Sequence, residues 1–120
     1  MNEQNYASLP ASKRLVEAGI VLETDFWWGM ISNDQWTLQK GDATYSPSPF
    51  LVPAPSMVEV WRELPPCHNS VVFGSLPLIM CKTDQGTAVG YGVMLLMQTV
   101  NTNPTDALID LLILARKEKV

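Results

Sequence analysis

Cys67 and His68 are the side chains best suited to covalent chemistry, a thiol next to the chain's single imidazole and directly after Pro65 and Pro66. A thiolate and an imidazole act as nucleophile and base when the fold aims one at the other. Sequence neighbours seldom face each other, and no third residue that would orient the imidazole stands out, so the pair reads as a loop dipeptide. A metal centre fares no better. One histidine and two separated cysteines, Cys67 and Cys81, form no Cys-x-x-Cys, and further ligands would be carboxylates chosen without guidance. The expectation is therefore no catalytic residue, no metal and no cofactor.

Glu23 and Asp25 flank Thr24 at a spacing that places both acids on one side of an extended strand, as an acid and base pair requires. Nothing around them in the sequence suggests the burial that would shift a carboxyl, so they read as a solvated turn. Gly90 and Gly92 form a Gly-x-Gly within an apparent strand, without the third glycine and the helix of a dinucleotide fingerprint. Packing accounts for them. The aromatic cluster Phe26, Trp27, Trp28 and Trp36 has more to offer, because rings on a sheet stack on sugars, bases or other proteins. Glu23, Asp25 and Asp34 surround it with Lys40 alone in opposition, which favours a protein contact over nucleic acid.

These residues must be held by a chain of 120 residues, 47% hydrophobic and 17% charged, the size of one domain with a core of its own. A net charge of −4 leaves no electrostatic footprint for a phosphate backbone. The N-terminal MNEQNYASLP has no basic segment followed by an apolar one, so no secretory signal is expected, and the longest apolar run, Val93 to Met97, is too short to span a membrane. A soluble protein with reduced thiols in the cytoplasm is the expectation.

Residues 9–18 predict a first helix, with Pro10 near its start and Gly19 as the left-handed stop that folds Ile20 back on Leu15. Phe26 to Ile31 and Gln35 to Lys40 predict a hairpin about Asn33 and Asp34. Pairing Ile31 with Trp36 sets Trp27, Ile31, Trp36 and Leu38 on one face and Phe26, Trp28 and Met30 on the other. Four prolines between Gly41 and Pro55 predict an extended loop crossing the body, carrying Tyr45, Phe50, Leu51 and Val52, with no domain boundary. Ser56 and Glu59 spell a capping box, and Met57, Val60, Trp61 and Leu64 give the buried stripe of a second helix that Pro65 and Pro66 end.

Val71 to Phe73 suggest a short strand. Leu76 to Thr83 and Thr87 to Val93, around the loop Asp84-Gln85-Gly86, predict a second hairpin with Ile79, Cys81, Val89 and Tyr91 on one face. Leu78 and Met80 then lie across from Gly90 and Gly92, where a helix can approach. Met94 to Val100 either extend that strand or bend into another. Asn103 as cap, Pro104 at the first helical position, Asp106 in the first turn and Arg116, Lys117 and Lys119 at the far end predict a helix over about 104–117. Its apolar residues Leu108, Ile109 and Leu111 to Leu114 are too broad a band for one sheet, so either two elements cover it or a second subunit does.

The segments PAPSMVEVWRELP and NPTDALIDLLILARKEK resemble an uncharacterised family of small proteins of phages and gut Bacteroidales. In that family a Pro-rich entry, a Ser/Thr-capped helix with a glutamate and an aromatic, and a closing helix of the form Asn-Pro-x-Asp-Ala-Leu recur. Leu114 departs from the pattern, which often has an aromatic there. The family has no assigned activity, so the resemblance implies a mobile-element or commensal-bacterial origin and transfers no site residue.

The expected fold is α+β, an antiparallel sheet of two hairpins with about three helices mainly on one face. The expected function is a non-enzymatic protein-interaction or accessory module of a phage or mobile element. Its partner is another protein or a second copy meeting Ile113 and Leu114. The alternative is a small-ligand or carbohydrate binder in an aromatic pocket built from Trp27, Trp28, Trp36, Tyr45 and Phe50.

Overall fold

In the computed structural model, which describes residues 5–32, 34–41, 47–70, 74–92 and 96–118, the first element is helix α1, Leu9–Glu17. Extended Ser8 caps it, its hydroxyl accepting from the Ala11 amide at 3.3 Å. Gly19 ends it at φ 77°, where its amide donates to the Val16 carbonyl and that of Ile20 to the Leu15 carbonyl at 3.1 Å. Ile20 and Leu15 are both in the core, as the sequence requires.

Strands β1, Phe26–Ser32, and β2, Gln35–Lys40, form the expected hairpin, turning at Asp34 with φ 58°. Its register differs from expectation by one residue. Trp36 faces Met30 rather than Ile31, Leu38 faces Trp28 and Gln39 faces Trp27, because a bulge between Met30 and Ser32 leaves Ile31 unpaired. That single step exchanges the faces. Trp36 and Leu38 join Phe26, Trp28 and Met30, while Trp27 shares the other face with Gly29, Thr37 and Gln39.

The Pro-rich stretch supplies a strand that its composition concealed. Leu51–Pro53, β3, pairs antiparallel with β1, setting Val52 against Trp28. The amide of Ala54 donates inward to the Phe26 carbonyl, so positions 53 and 55 turn outward, and both are prolines with no amide to offer a further strand. The sheet of order β2-β1-β3 therefore stops there.

Helix α2, Met57–Glu63, starts with the predicted capping box: the Ser56 amide donates to Glu59 Oε1 at 2.8 Å and the Glu59 amide to Ser56 Oγ at 3.2 Å. Val60 and Leu64 are buried and Met57 partly so. Trp61, expected in that stripe, is instead 41% exposed, because two turns of helix bury only this narrow face.

Strands β4, Cys67–Ser70, β5, Gly74–Thr83, β6, Gly86–Tyr91, and β7, Leu96–Asn101, build a second antiparallel sheet in sequence order. The two hairpins thus belong to separate sheets. Thr83 pairs with Gly86, so the β5–β6 loop holds two residues rather than three, and every pairing moves by one. Leu78 and Met80 accordingly share a face with Tyr91 and Val89, not with Gly90 and Gly92. Residues 96–101 are a separate strand, and it carries one extra residue opposite the step from Val89 to Tyr91. The strand suggested at Val71 to Phe73 lies outside the described residues.

Helix α3, Pro104–Glu118, begins where Asn103 Oδ1 accepts from the amides of Thr105 and Asp106. Leu108, Ile109, Leu111 and Leu112 are fully buried, because β6 and β7 pack along one side of the helix and α2 and α1 along others. Elements of the same chain cover the broad apolar band. Ile113 packs partly buried against the core, and Leu114 is 37% exposed.

The segment entering α1 joins these parts. Tyr6 bridges to Ser56, Ala7 donates to the Pro55 carbonyl, and the Ser8 amide donates to Asp106 Oδ1 at 2.8 Å. Asn103 Nδ2 closes the knot on the Tyr6 carbonyl.

Candidate functional site

The aromatic residues proposed to form one pocket are distributed over different surfaces. Trp27 is 6% exposed and lies against Gly41, where a Cβ would overlap the indole. Trp28, on the opposite face, donates from Nε1 to the Ala7 carbonyl at 2.8 Å. Trp36 is half-buried, with the Lys13 ammonium 4.9 Å from its ring centroid. Phe50 projects into water at the other end of the sheet, and Tyr45 lies outside the described residues.

Two features take the place of that pocket. At one end of the first sheet the Met30 amide donates to the Phe50 carbonyl, and at that end Ile31 and Phe50 are 64% and 63% exposed. At the other end a cleft of 970 Å³ opens between the α1–β1 connection and α2. Glu23 and Asp25 enter it from that connection, Arg62 and Glu63 from α2, Arg116 from α3, and Trp27, Lys40, Gly41 and Pro47 from the first sheet and the Pro-rich stretch. Arg116 and Glu63 pair loosely at 3.5 Å. The two acids singled out in sequence are thus placed together with basic side chains, a juxtaposition that no local spacing announced.

Cys67 and His68 sit on β4, where alternation turns neighbouring side chains to opposite faces of the sheet. The His68 ring lies 5.8 Å from the ring of Tyr91, whose hydroxyl donates to the Pro65 carbonyl at 2.9 Å. Burial, with a smaller push from the charge of the Cys67 thiolate, raises the Tyr91 phenol above its ordinary value of 10.0. The arrangement is that of a packed core tyrosine. Among the described residues no three His, Cys, Asp or Glu side chains gather in a metal-binding group. Gly92 takes φ 76° against Leu76, a packing role.

A second, shallower groove is lined by Trp61, Arg62, Leu64, Pro66, Pro77 and Leu78. Helical spacing alone places its tryptophan in the core, and the signal against that is the short length of α2.

No family model, curated protein or solved structure matches the chain. Among the described residues no helix is long and apolar enough to cross a membrane.

Proposed function

We propose that the protein is a small non-enzymatic interaction module that docks on a protein surface, a second copy of itself included. The observation that carries this reading is that Ile31 and Phe50, two large apolar side chains at the same end of the first sheet, both stand mostly in water. A single exposed apolar residue is ordinary, whereas two large ones left in water at one end of a sheet favour a contact there. The sequence resemblance to small proteins of phages and gut Bacteroidales supports an accessory role in a mobile element. Free thiols at Cys67 and Cys81 support action in the cytoplasm.

The test compares tagged wild-type protein with an Ile31→Ser/Phe50→Ser variant by chemical cross-linking in the source cells, with cross-linked peptides mapped by mass spectrometry. Cross-links concentrated around the first sheet and lost in the variant are expected. Cross-links that scatter over the surface, or that ignore the substitutions, overturn the reading.

The mixed-charge cleft favours a second reading, a small-ligand site floored by Trp27. Amide shifts of Glu23, Lys40 and Arg62 during titration with mono- and disaccharides and with free amino acids would support it. A cleft silent to all of these probes removes its basis.

A further inference from the structure

We propose that β2 is a self-pairing edge: two copies join antiparallel along Gln35–Lys40, centred on Thr37, and their three-stranded sheets become one continuous sheet. This rests on the interaction reading above and names its partner.

The first sheet has the order β2-β1-β3, and its two edges are unlike. Pro53 and Pro55 close the β3 edge. β2 carries no proline, the hairpin's bulge lies on β1, and among the described residues β2 pairs with β1 alone. Natural edges are usually blunted by such devices, and this one has a single lysine at its end.

The hydrogen bonds show which groups that edge offers. Met30 and Phe26 direct their main-chain groups to β3, since the Met30 amide donates to the Phe50 carbonyl and the Ala54 amide to the Phe26 carbonyl. The alternate residues Trp27 and Gly29 therefore bond across to Gln39 and Thr37. By the same alternation the main-chain groups of Trp36, Leu38 and Lys40 point out from the edge, ready to pair.

Register then selects itself. A two-fold axis normal to the sheet keeps each side chain on its own face, so only every second offset is allowed. Centred on Thr37, Trp36 meets Leu38, Gln35 meets Gln39, and at both ends the turn that carries Asp34 comes beside Lys40, so the two opposite charges lie close. Apolar faces apolar and amide faces amide. Centring on Leu38 would instead set Trp36 against Lys40, and centring on Trp36 would bring the Asp34 turn beside Leu38. Asp34 and Lys40 are exposed and Trp36 and Leu38 half-buried, so each has surface left to bury.

Sedimentation equilibrium tests the proposal, with circular dichroism confirming that each variant folds. Wild-type protein is expected to dimerise. Lys40→Glu and Asp34→Lys each bring like charges close twice per dimer and should raise the dimer Kd by about tenfold at low salt. Mixing the two variants should restore a heterodimer, in which both contacts are again of opposite sign. Thr37 faces its own copy in a non-hydrogen-bonded pair, the close kind, so Thr37→Cys in a Cys67→Ser/Cys81→Ser background should form a disulfide dimer on mild oxidation. This variant and Lys40→Glu leave the turn at Asp34 untouched, so the test survives if Asp34→Lys does not fold.

A wild-type protein that stays monomeric at high micromolar concentration overturns the proposal. So does a dimer that ignores Lys40→Glu and fails to cross-link through Thr37→Cys. If that dimer is instead lost in Ile31→Ser/Phe50→Ser, the edge proposal fails and the broader interaction reading stands.

Discussion

Trp28 Nε1 donates to the carbonyl of Ala7 at 2.8 Å, and through this bond the central strand of the first sheet holds the segment that leads into α1. Ala7 is fully buried. Trp28→Phe keeps most of the ring's packing and strands that carbonyl, which should cost about 1–3 kcal/mol in urea unfolding. An unchanged midpoint would mean that another donor takes over.

Asp106, 6% exposed, receives the Ser8 amide at 2.8 Å across 98 residues of sequence while standing in the first turn of α3. Asp106→Ala removes a charge-assisted bond and a favourable helix-dipole charge together. A loss of about 2–4 kcal/mol by thermal or urea unfolding is expected. Asp106→Asn retains an acceptor and should lose less, which separates the bond from the charge.

Gly41 lies against the indole of Trp27, and a Cβ there would overlap the ring. Gly41→Ala should therefore destabilise by about 1–3 kcal/mol as the buried tryptophan is displaced. Trp27 fluorescence, read in a Trp28→Phe/Trp36→Phe/Trp61→Phe background, should shift to the red. A neutral variant with unshifted emission would contradict the contact.

Tyr91 gives the fold a limit at high pH. Its phenol is raised in the folded state, first by burial and then by the Cys67 charge, so folded protein holds the proton that unfolded protein releases. The stabilisation is fully present below the unfolded value near 10.0 and declines as pH rises past it toward the folded value. Urea midpoints should fall over that range in wild type, and Tyr91→Phe should flatten the decline. At neutral pH the same variant loses the bond to the Pro65 carbonyl, a cost of about 1 kcal/mol.

What could be read from the sequence was local. The Ser56 and Glu59 capping box, the Asn103-Pro104 start of α3 and the Gly19 stop of α1 each depend on residues within a turn of one another, and each appears as expected. Faces of strands were misread, because register depends on details one residue wide. The bulge at Ile31 and the two-residue loop before Gly86 each move every later pairing by one. Strand β3 was hidden because its prolines are harmful only on the paired side, and alternation puts them on the other. The cleft brings Glu23 and Asp25 near Arg62 and Arg116 through tertiary packing, which no sequence window contains.

The tie between Ser8 and Asp106 also bears on how the chain is made. Ala11 and Leu15 are buried in a core shared with Leu108, Ile109 and Leu112, which a ribosome adds only after all seven of the described strands. Until then the nascent α1 has only part of its apolar side covered, by β3 and its neighbours, and a chaperone that holds it would let go only when α3 clears the exit tunnel. Arrested chains ending before Asn103 should therefore be sensitive to protease and chaperone-bound, and those extended well past α3 should be neither.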